Sequence, residues 1–259
     1  MEIREFAERI LTSYSIAAKL RPIEPPVTDD HPGEPFRPAL PSRPSPLQFC
    51  GRKQSPPMPH PNTYTDPLKR AAVHHILANH ELQALEVMAF VLCAFPDAPP
   101  AFRREMIPIL ADEQRHTRLH IHRLEELGLR FGDLSVNGYF WKKAQKFTCL
   151  LEYLAGMPLT FEGRNLDHTL EFEQQFEAAG DQTGANVLRI IHRDEIRHVA
   201  FGLRWLRELK SPGQSDWEAY ESHLHWPLRP EKAKGRQFHR EPRSAAGLSD
   251  DFLDHLERS

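Results

Sequence analysis

Fourteen of the 23 prolines in this 259-residue chain fall between residues 22 and 67. Proline fixes its own φ and has no amide proton to donate, so this stretch is closed to regular helix and central strand. The long elements must lie elsewhere. Before it, Ile3, Phe6, Ile10, Leu11 and Ile16 mark one amphipathic helix over 2–20. After it, from 67 to 209, apolar residues recur at three- and four-residue steps, which predicts helices near 67–95, 101–128, 143–178 and 184–209. "FPDAPP" (95–100), "GLRFGDLSVNG" (128–138) and "AAGDQTG" (178–184) read as their stops. Pro108 and Pro158 should bend the second and third helices. Past 210 come loops, then a short closing helix in "LSDDFLDHLER" (248–258).

The fold expected is all-α, in three segments. Residues 1–66 form an N-terminal helix and a proline-rich arm, 67–209 a four-helix bundle, and 210–259 a C-terminal loop and short helix. The arm reads equally as a flexible linker or as a strap packed through Phe36, Leu40, Leu47 and Phe49. No run approaches the 18 or so apolar residues of a membrane span, and "MEIREFAERI" lacks the basic-then-apolar pattern of a secretory signal. A cytoplasmic location is the default expectation. Cys50, Cys93 and Cys149 form no C-x-x-C, which argues against a disulfide framework, a zinc ribbon or an iron–sulfur site and leaves buried or inert thiols. A formal net charge of -3 gives no bulk attraction to nucleic acid.

The chemistry is concentrated in a motif that occurs twice, "ADEQRH" at 111–116 and "RDEIRH" at 193–198. On a helix, Glu at i and His at i+3 leave from one face, so each motif offers a carboxylate and an imidazole to the same ion. About 1.3 Glu-x-x-His matches are expected here by chance, but requiring Asp in front lowers this to about 0.07. Two occurrences therefore carry weight. Across an antiparallel hairpin, the partner of Glu113 reflects to residues 81–83, where Glu81 sits. The reflection of Glu195 points to Asp167, with Glu162 about a turn and a half away. Glu162 is preferred, because 195 minus 162 gives 33, close to the 32 of 113 minus 81.

These charges lie on apolar faces: Ile109, Glu113, His116 and His120 share one, and Leu188, Ile191, Glu195, His198 and Gly202 another. Four carboxylates converging in a core would repel unless neutralised, and two divalent cations would neutralise them, with two imidazoles completing the coordination. One Glu from each of two helices and Glu-x-x-His from the other two is the ligand plan of ferritin-like di-iron and di-manganese bundles.

"HELQALEVMAF", "DEQRHTRLHIHRLEELGLRFGD", "FEGRNLD", "DEIRHVAFGLRWL" and the late "AKGRQFHREPRSAAGLSDDFL" resemble the bacterial ferritin-like domain of unknown function family 455. That family is similar at its metal motifs to rubrerythrin, bacterioferritin and the tRNA hydroxylase MiaE. The resemblance implies Glu81, Glu113, His116, Glu162, Glu195 and His198 as ligands of two iron ions, with manganese or a mixed pair as alternatives. Glu113 and Glu195 would bridge the metals, and Asp112 and Asp194 would hold the ligand histidine of the opposite hairpin, or else be solvated helix charges. Where relatives often have His two residues before the first glutamate, this chain has Asn79, with His80 adjacent.

His120 and His192 could be extra ligands, but a hydrogen-bonded histidine is the plainer reading of each. Glu86 falls about 140° round the helix from Glu81 and reads as a helix-face charge or secondary hydrogen bonder. "YFWKK" (139–143) could shape a substrate entrance, against packing as the plainer reading. No C-x-x-C supplies a second iron centre, which excludes a self-contained rubrerythrin. Tyr153, the one tyrosine within the four helices, lies on the face opposite Glu162, against a radical role. The function expected is a di-iron oxygenase or oxidase using dioxygen, an external electron donor and an unidentified substrate. The alternatives are a ferroxidase or peroxide-detoxifying iron-handling protein, and a metal-binding scaffold. A tRNA substrate would need a basic surface; "RPEKAKGRQFHR" (229–240) could supply one, or be a solvated loop.

Overall fold

The opening segment folds as two pieces where one helix over 2–20 was expected: α1 (Ile3–Thr12) and α2 (Ile16–Lys19). Ser13 turns extended between them, and Ser15 caps α2 by accepting the Ala18 N–H. The computed structural model describes every residue except Arg52. It divides into two compact units, Met1–Lys146 and Phe147–Ser259, so the segment 67–209 is shared and each unit keeps one long helical hairpin.

In the first unit the hairpin is α3 (Pro67–Ala94) and α4 (Pro100–Glu126). The Asp66 carboxylate accepts the Leu68 N–H and Pro67 presets the first turn of α3. Every residue of α3 from Glu81 to Ala94 is buried. Among the described residues α3 alone is long and apolar enough to cross a membrane, yet 83% of the window that qualifies is buried inside the protein, as in a core helix. The proline-rich arm is a strap. Phe36 N–H bonds to Cys93 O at 2.9 Å, Ser42 N–H to Leu11 O at 2.8 Å, and Trp141 Nε1–H to Ala39 O at 3.0 Å. Two short strands close it, β1 (Phe49–Cys50) pairing in parallel with β2 (Val136–Asn137), just before α5 (Tyr139–Ala144).

Charge fixes the strap. Glu86 is fully buried and its carboxylate accepts from Lys19 Nζ at 3.0 Å and from Arg43 Nη2 at 2.7 Å. The Arg43 guanidinium reaches on to Asn79 Oδ1 at 2.8 Å. Lys19 also donates to Ile10 O, and burial pulls its pKa down against the pull of Glu86. The position read from sequence as a helix-face charge or secondary hydrogen bonder is thus a buried anchor joining α2, the strap and α3. Cys93, also in α3, has its thiol pushed up to about 12 by burial, which makes it inert.

In the second unit the helix expected from 143 begins at Leu150, because Cys149 is extended. It runs as α6 (Leu150–Gly156), a π-helical stretch (Met157–Glu162) and α7 (Gly163–Ala178). The interruption follows from Pro158, which cannot supply an amide to an α-helical ladder and crowds the preceding turn. The return helix, α8 (Gln182–Leu209), passes close to it: a Cβ on Gly202 would lie 2.3 Å from Pro158 Cβ, so only glycine fits. The C-terminal segment adds α9 (Asp216–Ser222), α10 (Arg240–Ala245) and α11 (Asp250–Arg258). Trp217, Tyr220, Phe252 and Leu256 from it share a core with Leu166, Val199 and Leu203.

Replacing Glu86 with Ala leaves two buried cations uncompensated and should cost about 3–5 kcal/mol, read as a lower urea midpoint at unchanged slope. His75 carries a pH effect. Its buried Nε2 accepts the Gly132 N–H at 2.9 Å, and burial lowers its pKa from 6.5 to about 4. The unfolded chain therefore binds more protons in that window, so the contribution present above pH 6.5 is lost as pH falls toward 4. His75→Asn should flatten the fall in stability between those limits, measured by denaturant titration at stepped pH.

Candidate metal centre

The first hairpin brings three of the residues read from sequence together. Glu81 on α3 and Glu113 and His116 on α4 are all buried, and each offers a donor atom within 4.8 Å of the others. His116 Nδ1 stands 3.7 Å from Glu81 Oε2 and 3.8 Å from Glu113 Oε1. Those distances are long for hydrogen bonds. They suit donors that share an ion: a cation about 2.1 Å from each of two donors holds them about 3.0–4.2 Å apart as the angle opens from a right angle to a straight line. Burial pushes the Glu81 carboxyl up, but the imidazoles of His116 and His120 outweigh it and hold its pKa below the ordinary carboxylate range.

The second hairpin repeats the arrangement. Glu195 and His198 on α8 are buried, with His198 Nδ1 3.7 Å from Glu195 Oε2. Glu162, the last residue of the π-helical stretch, is buried and offers a carboxylate oxygen within 4.8 Å of His198. Asp167, the other residue the hairpin reflection allowed, serves elsewhere. Arg243 grips its two oxygens at 2.7 and 2.9 Å, and the Gly235 and His239 amides donate to it at 2.8 and 2.9 Å. Burial raises its pKa, but these donors win and keep it ionised, pinning the C-terminal segment to α7.

Asp112 and Asp194, each one residue before a motif glutamate, are buried at 9% and 7% exposure and pair with arginines three residues on. Arg115 Nη2 lies 2.8 Å from Asp112 Oδ1, and Arg197 Nη2 2.6 Å from Asp194 Oδ1. His192 Nδ1 is hydrogen-bonded to Thr169 Oγ1 at 2.8 Å, the plainer of its two readings. His120 is different. Its Nδ1 meets His74 Nδ1 at 2.8 Å, while its buried Nε2 finds no hydrogen-bond partner among the described residues and lies 4.0 Å from Glu81 Oε1. Burial lowers the His120 pKa to about 4, so the ring is neutral at pH 7 and has a lone pair to give.

Two features escaped the sequence reading. Asn165 donates its Nδ2–H to Glu195 Oε1 at 3.0 Å, leaving Oε2 as the oxygen nearer His198. Its position three residues after Glu162, on the same helical face, was the available signal. The π-helical stretch ending at Glu162 was signalled only by Pro158. Its Thr160 hydroxyl donates to Ala155 O at 2.7 Å and lies 3.0 Å from the buried Tyr220 hydroxyl, which fixes the turn that delivers Glu162.

The two clusters are buried groups of carboxylate and imidazole donors that could hold a metal ion, and their mixed oxygen and nitrogen chemistry suits iron or manganese as well as zinc. Glu113→Gln should relieve crowding with Glu81 and raise the melting temperature of the metal-free chain by about 2–4 °C, while removing the stabilisation that added metal gives the wild type. Differential scanning fluorimetry with and without Mn(II) reads both; a variant stabilised by metal as wild type is would exclude Glu113 as a ligand.

The family described as "Protein of unknown function (DUF455)" matches residues 3–254. A protein of Haemophilus influenzae described as uncharacterized is 31% identical over 127 residues, which cover 48% of this chain and 44% of that relative. The chain thus aligns with under half the length of this curated relative. No solved structure matches it.

Proposed function

We propose that this chain, which belongs to the DUF455 family of proteins of unknown function, is a non-haem di-iron protein that activates dioxygen as an oxygenase or oxidase on an unidentified substrate. In this reading the two hairpins form a ferritin-like four-helix bundle, with Glu81, Glu113, His116, Glu162, Glu195 and His198 around two metal ions. The observation that carries it is the duplicated donor arrangement: in each hairpin a buried histidine Nδ1 stands 3.7 or 3.8 Å from the glutamate three residues before it.

When bound, a ferrous pair supplies two electrons to dioxygen, which an external donor then restores. The chain's own residues set the conditions for that chemistry. Four carboxylates balance the charge of two divalent ions, so the loaded site is close to neutral in a buried setting. His116 and His198 would bind through Nδ1, the atom that faces the glutamates. Asn165 restrains Glu195 at one oxygen, and the other lies nearer His198. Asp112 and Asp194, each held by an arginine three residues on, are the candidates for fixing ligand histidines and raising their basicity. The strap and the C-terminal segment support an enzyme over a storage shell, because both pack onto the hairpins as added layers.

Anaerobic loading with Fe(II) should give two ions per chain, and Mn(II) loading should give a spin-coupled electron paramagnetic resonance signal. The iron form with a reductant should consume dioxygen, and Glu113→Ala should abolish that uptake. A single ion per chain, or a magnetically isolated Mn(II) signal at full loading, would sink the di-metal reading. Iron uptake continuing well beyond two ions per chain would favour the ferroxidase alternative.

A further inference from the structure

We propose that His120 is a fourth ligand on the first hairpin, binding metal through Nε2 beside Glu81, Glu113 and His116, and that His74 is a positioning residue acting through it. The proposal rests on the metal reading of that hairpin alone and needs neither iron nor oxygen chemistry.

Two tautomers are open to the pair, and one of them gives His120 a donor atom for a metal. His74 and His120 share one hydrogen bond between their Nδ1 atoms, 2.8 Å apart. If His74 donated it, the proton of His120 would sit on Nε2, buried and 4.0 Å from Glu81 Oε1, too far to be hydrogen-bonded. The converse arrangement moves the proton to the Nε2 of His74, which is also buried, so burial alone favours neither and the choice falls to what Nε2 of His120 faces. If His120 donates it, Nε2 carries a lone pair turned toward the carboxylate that also faces His116, and the 4.0 Å separation is within the span of two donors on one cation. Ligand histidines commonly donate their other N–H in this way, which fixes ring orientation.

The duplication in the chain supplies an internal comparison. Four residues beyond the motif histidine stands His120 in the first hairpin and Gly202 in the second, where Pro158 occupies the space. Seven residues before the first-helix glutamate stands His74 in the first and the fully buried Ala155 in the second. Both members of the pair are present in one half and both absent from the other, as expected of residues that work together. The two metal positions are therefore unequal: two glutamates and two imidazoles on the first hairpin, two glutamates and one imidazole on the second. The nitrogen-richer position should fill first with Co(II) or Zn(II).

The test uses the full chain and Co(II), whose visible spectrum reports coordinated nitrogen. His120→Leu should weaken the first binding equivalent about 10- to 100-fold and change its spectrum, and His74→Phe should weaken it less, with the second equivalent unchanged in both. In case His120→Leu does not fold, the wild type is read directly: fully loaded protein should show three exchangeable, hyperfine-shifted imidazole N–H signals, from His116, His120 and His198. Unchanged affinity and spectrum in folded His120→Leu, or only two such signals, would overturn the assignment of His120 while leaving the six-ligand site intact. Absence of Co(II) binding by the wild type would overturn both, and Glu113→Ala binding as the wild type does would show the metal lies elsewhere.

Discussion

A carboxylate removed from water must find positive charge or strong donors, and the organisation of both units follows from how that requirement is met. At Glu86, Asp29 and Asp167 the chain provides fixed cations: Lys19 and Arg43, Arg103, and Arg243 respectively. Each pair joins segments distant in sequence, so each is also a clamp. Beside Glu81 and Glu195 it places imidazoles and an amide, groups that coordinate or donate but bring no permanent charge. One class of buried acid builds the protein, and the other stands among donors that could hold an ion.

The clamps matter to the donors because coordination tolerates little play. Glu81 projects from a helix buried along its whole second half, and Glu86 on that helix is fixed by two cations from α2 and the strap. Glu162 depends on a different device. The π-helical stretch widens the helix locally, Gly202 lets α8 approach Pro158, and the Thr160 hydroxyl ties the turn to Ala155 and Tyr220. A straight α-helix through 150–178 would present a different face at residue 162.

That difference shows what the sequence could and could not convey. Long helices and their stops follow from periodicity and proline placement, which are local, and α3, α4 and α8 lie within a few residues of the expected bounds. The motif pairs follow from a three-residue spacing that any helix respects. Reflection across a turn assumes uniform helical pitch and pointed to Asp167, whereas the matching separation of 33 and 32 residues favoured Glu162; Arg243, 76 residues beyond Asp167, makes Asp167 a clamp. Glu86 was opaque for the same reason, since Lys19 and Arg43 lie 67 and 43 residues away and leave no local mark. The helix α9 was missed although its signal was local: Ser215 and Glu218 form a capping box in a stretch read as loop.

The duplicated plan also makes its own departures informative. Two hairpins that keep Asp-Glu-x-x-His but differ at the next helical turn would not place the same demand on metals they held. A second imidazole on the first hairpin adds a neutral nitrogen without adding negative charge, which favours the divalent state there and strengthens binding of metals late in the divalent series. On the second hairpin the same space is filled by Pro158 against Gly202, so ligand number is given up for the turn that positions Glu162. If metal fills both hairpins, the first would be the retained position and the second the more exchangeable one. In the proposed reading, such a pair would suit a metal centre whose two ions take different roles.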